Sequence, residues 1–285
     1  MRRRTFYVLE CEAEGCVVEL FLNDQPVERR GEGPGLGKFY NGQCNHELVP
    51  GENELTLVIS PGPTPASTLR ARPERPGRAR RLSIRRNEQP APAHARCKLT
   101  RYLEHEVIGS PAGELLLDLS WELEPTEERH WPQVVSASVD LGELWGRWAW
   151  QDAEPLTLDE QTRAEVKRFL EDLHAALSDK DLDPLIERSR TRVAEISRAY
   201  ELPAGQKEEE VRQNARFFQE QEGWGMQPLD WEQADLRLCG RRRLIECVAQ
   251  DGMSLLRELP RGEHGVVNSW PLFLAKIDGR LEIVR

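Results

Sequence analysis

Apolar and polar residues alternate in short runs along the first half of the chain. Such runs lie at residues 5–11, 17–22, 54–59 and 134–141, and turn residues such as those at 23–26 and 50–53 separate them. The longest run places one set of apolar side chains on a single face: Leu115, Leu117, Leu119, Trp121 and Leu123. A period of two residues with one apolar face is typical of half-buried antiparallel strands. We therefore expect an all-β sandwich domain over residues 1–150.

The second half changes to a helical period. From Thr157 the apolar residues recur every three to four positions, and Thr157 with Glu160 forms a capping-box pattern. The pattern predicts three helices. The first begins at residue 157, and the other two span residues 181–200 and 206–221. Strands are expected at 236–238, 243–248, 253–259, 272–277 and 281–284, with hairpin turns at 250–252 and 278–279. Residues 157–285 are therefore predicted to form an α+β domain, and residues 101–108 a further strand of the first domain.

Two stretches resemble known folds. The turns at 19–24, 41–42 and 48–55 resemble those of the jelly-roll β-sandwich modules attached to sugar-active enzymes, with Asp24 in place of a glycine. The order of helices followed by long strands, ending in the hairpin of residues 270–285, resembles NTF2-like cone domains, in which helices pack on a curved antiparallel sheet. The second resemblance implies a fold shared by isomerases, dehydratases, transport adaptors and toxin-immunity proteins, so it implies no single activity.

The NTF2-like resemblance also implies where an active site would lie. Enzymes of that fold use an Asp/His or Asp/Tyr pair inside the cone, for which this sequence offers His174, His264, Asp235 and Tyr200. If a ligand binds, the pocket candidates are Tyr200, Trp224, Trp231 and Asp235. A cone filled by side chains such as Phe273, Leu255 and Ile245 would argue against this hypothesis.

A segment rich in proline and arginine interrupts the first domain at residues 61–96. It carries seven prolines between residues 61 and 92 and eight arginines between residues 70 and 86. One interpretation is a basic arm that binds phosphate or an acidic protein; the other is a solvated loop with an edge strand at 81–85. The arginines at its centre are the candidate contact residues: Arg78, Arg80 and Arg81.

A tryptophan cluster lies at the predicted domain boundary. In a strand, Trp148 and Trp150 would project from one face and Trp145 from the other. Such a cluster can present a ligand or partner platform, or it can close a core or a domain interface. The three tryptophans are therefore candidate partner-binding residues.

Composition narrows the function. The net charge of −10 is shared between the halves, about −3 and −7, which disfavours nucleic acid as the main partner. The six cysteines contain no C-x-x-C pair, so we expect no zinc site, and the thiols are predicted to be buried and reduced in a cytoplasmic protein. No apolar run reaches the length of a membrane span. The triplet Arg241–Arg243 lies in a predicted hairpin turn, where it could clamp a carboxylate or phosphate or could be solvated.

No sequence motif for catalysis, nucleotide binding or a cofactor is present in the chain. The first hypothesis is a non-catalytic protein-binding module of the inhibitor, adaptor or bacterial immunity type, whose partner is a basic protein. One alternative is a small-ligand, lyase or isomerase pocket in the second domain. Another is carbohydrate binding by the first domain, for which Phe39 and Tyr40 are the available aromatics.

Overall fold

The chain divides into two compact units, Met1–Gly146 and Arg147–Arg285. The computed structural model describes residues 4–31, 38–60, 93–123, 132–249, 253–260 and 268–285. The division falls four residues before the boundary at 150 that the sequence suggested. Both later tryptophans contact residues of the second unit: Trp148 lies beside Arg198, and Trp150 lies close to Gly240 and Leu244.

The described part of the first unit consists of eight strands and one turn of 3-10 helix. The strands are β1 Thr5–Glu14, β2 Val17–Leu22, β3 Gln25–Gly31, β4 Phe39–Gln43, β5 Glu52–Ser60, β6 His94–Leu103, β7 Glu114–Glu122 and β8 Gln133–Asp140, and the 3-10 helix is Asn45–Glu47. They form two four-stranded antiparallel sheets, with the orders β4-β1-β6-β7 and β3-β2-β5-β8.

One core lies between the two sheets. Leu9 and Leu99 from the first sheet, and Leu20 and Leu57 from the second, belong to the same cluster of buried side chains. In β7 the predicted alternation holds for the buried Leu117, Leu119 and Trp121. Leu115 is instead 53% exposed, because the β6–β7 register shifts between Leu99 and Thr100 and thereby moves the start of β7 out of phase.

A buried asparagine joins two of the predicted turns. Asn23 and Asp24 have φ of 55° and 64°, the left-handed pair that a two-residue hairpin turn between β2 and β3 requires. The Asn53 side chain is buried, donates to the carbonyls of Val49 and Gly51 at 2.8 and 2.9 Å, and accepts from Asn23 Nδ2 at 2.9 Å. Its amide group therefore satisfies backbone groups that the turn leaves unpaired.

Strand β6 begins before the end of the predicted 61–96 loop. Residues 94–96 already belong to β6, where His94, Ala95 and Arg96 pair with β1 and β7. Arg78, Arg80, Arg81 and the proposed edge strand at 81–85 lie outside the described residues.

The described part of the second unit holds five helices and one four-stranded sheet. The helices are α1 Ala149–Asp152, α2 Glu160–Ser178, α3 Asp183–Arg188, α4 Arg190–Ala199 and α5 Gln206–Gln219, and the strands are β9 Ala234–Cys239, β10 Leu244–Ala249, β11 Phe273–Ile277 and β12 Arg280–Ile283. The sheet is antiparallel, in the order β12-β11-β10-β9. Asp278 and Gly279, with φ of 48° and 78°, make the predicted turn between β11 and β12.

Three local predictions for this unit are wrong. The first long helix begins after Asp159, whose side chain accepts a hydrogen bond from Thr162 N at 2.8 Å, so Thr157 is not its N-cap. The helix predicted at 181–200 breaks at Ser189, and both of its halves contact β12. The strand predicted at 253–259 makes only isolated bridges, while its turn at 250–252 lies outside the described residues.

The core of the second unit lies between α2 and the sheet. The buried stripe of α2 belongs to one cluster with side chains of the strands: Val166, Leu170, Leu173 and Leu177 from the helix, and Ile245, Leu274 and Ile283 from the sheet. Ile245 and Leu255 are among the side chains that fill this interior, whereas Phe273 is only half-buried. The predicted combination of antiparallel sheets and helices, a mixed α+β chain, is confirmed. Within the described ranges, no helix combines the length and apolar character that a membrane crossing needs.

Candidate functional site

The predicted tryptophan platform is divided between the two units. Trp145 belongs to the first unit, where its ring meets Tyr7 edge-on with centroids 5.8 Å apart. Trp148 and Trp150 belong to the second unit, where they are 0% and 4% exposed. The segment is not a strand, because residues 149–152 form α1 and Gln151 Oε1 accepts from Trp148 N at 2.8 Å. Neither Trp148 nor Trp150 therefore presents its ring to a partner.

Two guanidinium groups lie close to the Trp148 ring. The Cζ atoms of Arg198 and Arg285 each lie 5.0 Å from the centroid of its ring, within the range of a cation–π interaction. Arg285 Nη1 also pairs with Glu195 Oε2 at 2.8 Å, and Ala149 N donates to Glu195 Oε1 at 2.6 Å. This buried group ties α1, α4 and the end of the chain together, so its role in the structure is stabilisation.

The four pocket candidates lie on different segments of the second unit. Trp224 and Trp231 pack partly buried against the core, with Lys180 Nζ 5.4 Å from the first ring and Lys167 Nζ 5.5 Å from the second. Tyr200 is the half-buried residue that follows α4.

Asp235 is held in an ion pair. Its Oδ2 accepts from Arg237 Nε at 3.0 Å and from Arg237 Nη2 at 2.9 Å, and Arg237 Nη1 lies 3.8 Å from Glu246 Oε2 across the sheet. Both donors come from one side chain on the same strand, so the Asp235 carboxylate has a structural partner.

A small polar cleft lies elsewhere in the second unit. Its volume is about 230 Å³, and its lining consists of Gln227, Pro228, Asp230, Gln233, Ala249, Leu255 and Arg257. The candidate His174 is bonded, through Nε2, to the carbonyl of Gln227, one of the lining residues, at 2.7 Å. Since a carbonyl oxygen can only accept, Nε2 carries the proton and His174 has a structural partner. The other candidate histidine, His264, is outside the described residues.

The arginine triplet forms the predicted turn, and two of its members bind the backbone. Arg242 Nη2 donates to Leu156 O at 3.2 Å, and Arg243 Nε donates to Ala153 O at 2.8 Å. Leu156 N in turn donates to Arg242 O at 2.7 Å. The side chains of Arg242 and Arg243 therefore fix the segment that leads into α2.

An apolar surface that the sequence did not reveal lies on the connection between β6 and β7. We call residues 104–113 the β6–β7 loop. Val107 is 72% exposed and Ile108 is 40% exposed, and the neighbouring Leu115 at the start of β7 is 53% exposed. Pro111 and Ala112 are exposed as well, and residues 107–113 contain no charged side chain. Exposed apolar side chains grouped in this way are typical of interaction surfaces.

Hydrogen bonds hold this loop in one shape. Gly109 N donates to the hydroxyl of the buried Tyr102 at 2.9 Å, and Leu103 N donates to Glu106 Oε2 at 2.7 Å. Ser110 N donates to Val107 O at 3.0 Å. The apolar tip is therefore presented by an ordered backbone, which is how many proteins position binding residues.

Sequence reasoning missed this loop because it treated residues 101–108 as one strand. The strand ends at Leu103, since His105 has a φ of 79°, which extended structure excludes. The available signal was the run Gly109-Ser110-Pro111-Ala112-Gly113, rich in turn formers and directly preceded by Val107 and Ile108.

The thiols are buried, as the sequence predicts. All six cysteines are free and buried. Cys11 and Cys97 face each other across β1 and β6. The hydrogen bond with Cys11 and, to a smaller extent, burial raise the pKa of Cys97 well above its usual value. Burial likewise raises the pKa of Cys44. Within the described residues, no group of His, Cys, Asp and Glu is arranged to hold a metal ion.

Comparisons with protein-family models, with curated proteins and with solved structures find no match for this chain.

Proposed function

We propose that the protein is a non-catalytic protein-binding module, of the inhibitor, adaptor or immunity type, that acts in the cytoplasm on a basic partner. The observation that carries this proposal is the β6–β7 loop, whose tip exposes Val107 at 72% while its backbone is held by hydrogen bonds. An exposed aliphatic side chain gains free energy when a partner covers it, at roughly 25 cal/mol per Å² of apolar surface buried. The net charge of −10 favours encounter with a basic protein.

The candidate catalytic residues also support a binding role. Asp235 is paired with Arg237, and His174 is bonded to the Gln227 carbonyl. Both groups are thus held by structural partners.

The experiment is affinity purification of the tagged protein from its own host, followed by mass spectrometry, with wild type and Val107→Asp in parallel. We expect one stoichiometric protein that wild type retains and Val107→Asp loses. Val134→Asp is the matched control, because Val134 is a 51% exposed valine on β8 of the same unit. Retention of no protein above background by wild type would refute the proposal.

A small ligand in the second unit is the second candidate function. The observation that favours it is the cleft of about 230 Å³, whose lining includes Arg257, Asp230 and Gln233. The NTF2-like fold proposed for this unit is compatible with such a site, although the interior between α2 and the sheet is filled by side chains. A thermal-shift screen of small acids, amines and amino acids, repeated with Arg257→Gln, tests this alternative.

Carbohydrate binding by the first unit, with its proposed jelly-roll resemblance, has less support. Phe39 is 56% exposed on the edge strand β4, but Tyr40 packs against the core and its hydroxyl lies over Gly42. One exposed ring offers a sugar a small stacking surface. A glycan array probed with the whole protein tests this candidate directly.

A further inference from the structure

We infer that the β6–β7 loop is a preformed apolar wedge that enters a pocket of a partner protein, and that this pocket has an apolar floor and a rim of Lys and Arg residues. The inference rests on the proposed protein-binding function and names the surface and the chemistry of its partner. It depends on three features of the loop: the apolar tip, the charges that flank it and the bonds that hold its backbone.

The tip supplies the apolar contact. Val107 and Ile108 are consecutive and exposed, and Ser110 N closes a turn on Val107 O at 3.0 Å. Leu115, the second residue of β7, is exposed as well. Exposed aliphatic side chains gain most when a concave apolar site removes them from water on several sides, as happens to the central residues of protein interfaces.

The flanks of the loop carry acidic side chains. Glu104 and Glu106 precede the tip and Glu114 follows it, while between them residues 107–113 are uncharged. Arg101 pairs with Glu114. Arg4 lies beside Glu104, whose N donates to the Arg4 carbonyl at 2.8 Å, so the flanks keep a small excess of negative charge. Charge complementarity therefore favours Lys or Arg at the rim of the partner's pocket.

Tyr102 is the residue that fixes the loop before binding. Its ring is buried, its hydroxyl accepts from Gly109 N at 2.9 Å, and a Cβ added to Gly113 would lie 2.4 Å from ring atom Cε1. Gly109 has a φ of 83°, so the chain reverses at a residue that can adopt this conformation without strain. A loop held in its bound shape loses less conformational freedom on association, which strengthens binding.

The test begins with the contact itself. A photo-crosslinking residue, benzoylphenylalanine, replaces Val107 in the host, and in a second strain replaces Val134 as the control. The protein captured at position 107 and absent at position 134 is then purified, and the crosslinked peptide locates the pocket. We expect that peptide to lie beside aliphatic or aromatic residues and at least two Lys or Arg residues.

Binding of the purified partner is then measured at 50 and 500 mM NaCl. We expect Val107→Asp to weaken binding about 100-fold. Glu104→Gln combined with Glu106→Gln should slow association several-fold at low salt and reduce its salt dependence, while the glutamine amide at position 106 keeps an oxygen that can accept from Leu103 N. Tyr102→Phe should weaken binding about 3- to 10-fold while leaving the contact surface unchanged.

Two further measurements separate loss of binding from loss of structure. Thermal unfolding of each variant shows whether the fold is retained, and Ile108→Glu replaces Val107→Asp if the latter unfolds. Hydrogen exchange of the Gly109 amide reports the shape of the free loop, and it should be faster in Tyr102→Phe than in wild type.

The outcomes are distinct. A tight partner that Val107→Asp binds as well as Val134→Asp does would leave the binding function intact and overturn the wedge. If Val107→Asp weakens binding but the double glutamate-to-glutamine variant associates as fast as wild type, the inferred rim of Lys and Arg residues is wrong. If wild type binds no protein, the proposed function and this inference fail together.

Discussion

The buried pair of Glu195 and Arg285 offers a sharp test of how the second unit is stabilised. The side chains are 7% and 4% exposed, and the closest oxygen and nitrogen are 2.8 Å apart. Glu195→Ala would leave the Arg285 guanidinium buried without its carboxylate, and Ala149 N without its acceptor at 2.6 Å. Arg192, one turn earlier on α4, adds to the destabilisation expected of Glu195→Ala, because burial and the repulsion from Arg285 already lower the pKa of Arg192.

The expected loss is large. Removing one partner of a buried ion pair costs about 3–5 kcal/mol, of which the unpaired backbone N–H accounts for about 1 kcal/mol or more. A domain is typically stable by about 5–15 kcal/mol, so this single change removes a substantial part of the free energy of unfolding. With a urea dependence of about 2 kcal/mol per M, the midpoint of the transition should fall by about 2 M.

The assay is equilibrium unfolding in urea at 25 °C and pH 7, followed by far-ultraviolet circular dichroism and by tryptophan fluorescence. Glu187→Ala is the matched control, because Glu187 is an exposed glutamate on α3, and its effect should stay within about 0.5 kcal/mol. Replacing the pair together, as Glu195→Leu with Arg285→Met, should recover most of the loss. A loss below about 1 kcal/mol for Glu195→Ala would refute the reasoning, since the charges would then not be desolvated.

Three further predictions concern the core, the loop and the pH dependence. Leu170→Ala should cost about 2–5 kcal/mol in urea unfolding, because the Leu170 side chain is wholly buried against the sheet. Gly113→Ala should lower the melting temperature and weaken partner binding, because its Cβ would lie 2.4 Å from the Tyr102 ring. The hydrogen bond from Arg96 lowers the pKa of Asp118, so this carboxylate stabilises the fold above about pH 4, and the benefit is lost as pH falls through the lower folded pKa.

Each of these predictions has a clear contrary result. Leu170→Ala with the stability of wild type would mean that α2 does not anchor the core. Unchanged melting and binding in Gly113→Ala would show that the ring and the loop are not in close contact. The difference in free energy of unfolding between wild type and Asp118→Asn should shrink as the pH falls below about 4. A difference that stays constant with pH would count against the ion pair.

Much of the fold follows from local chemistry that the sequence displays. The alternation in β7 and the helical stripe of α2 both report a buried face, and the turn at Asp278-Gly279 needs residues that tolerate positive φ. These features depend on neighbouring residues alone. For that reason they can be recognised without knowledge of the tertiary structure.

The errors arise where distant residues decide the outcome. The apolar positions keep a period of 3.6 residues across Ser189, because the helices on both sides of it contact the same strand. The periodicity therefore does not reveal the break. Trp148 falls within an alternating pattern, yet its surroundings are set by Arg198 and Arg285, which lie 50 and more residues later in the chain. The N-cap was predicted two residues early because Thr157 and Asp159 are both good caps, and only the geometry of Thr162 N distinguishes them.

The candidate site was missed for a related reason. Val107 and Ile108 fit a strand pattern, and only the positive φ at His105 and the bond from Gly109 to Tyr102 show that they belong to an ordered loop. The type of an apolar residue does not specify whether its side chain is exposed or buried. What separates the two cases is the register shift near Leu99 and the shape of the loop.

The distribution of the buried thiols gives the protein a built-in reporter of local opening. Cys11, Cys16, Cys44 and Cys97 lie in the first unit, and Cys239 and Cys247 in the second, all inaccessible in the folded chain. Pulsed alkylation at rising urea, read by mass spectrometry, would therefore count the opening of each unit separately. Because the native surface carries none of these sulfhydryls, a single cysteine introduced at Val107 would accept a dye without competition from them.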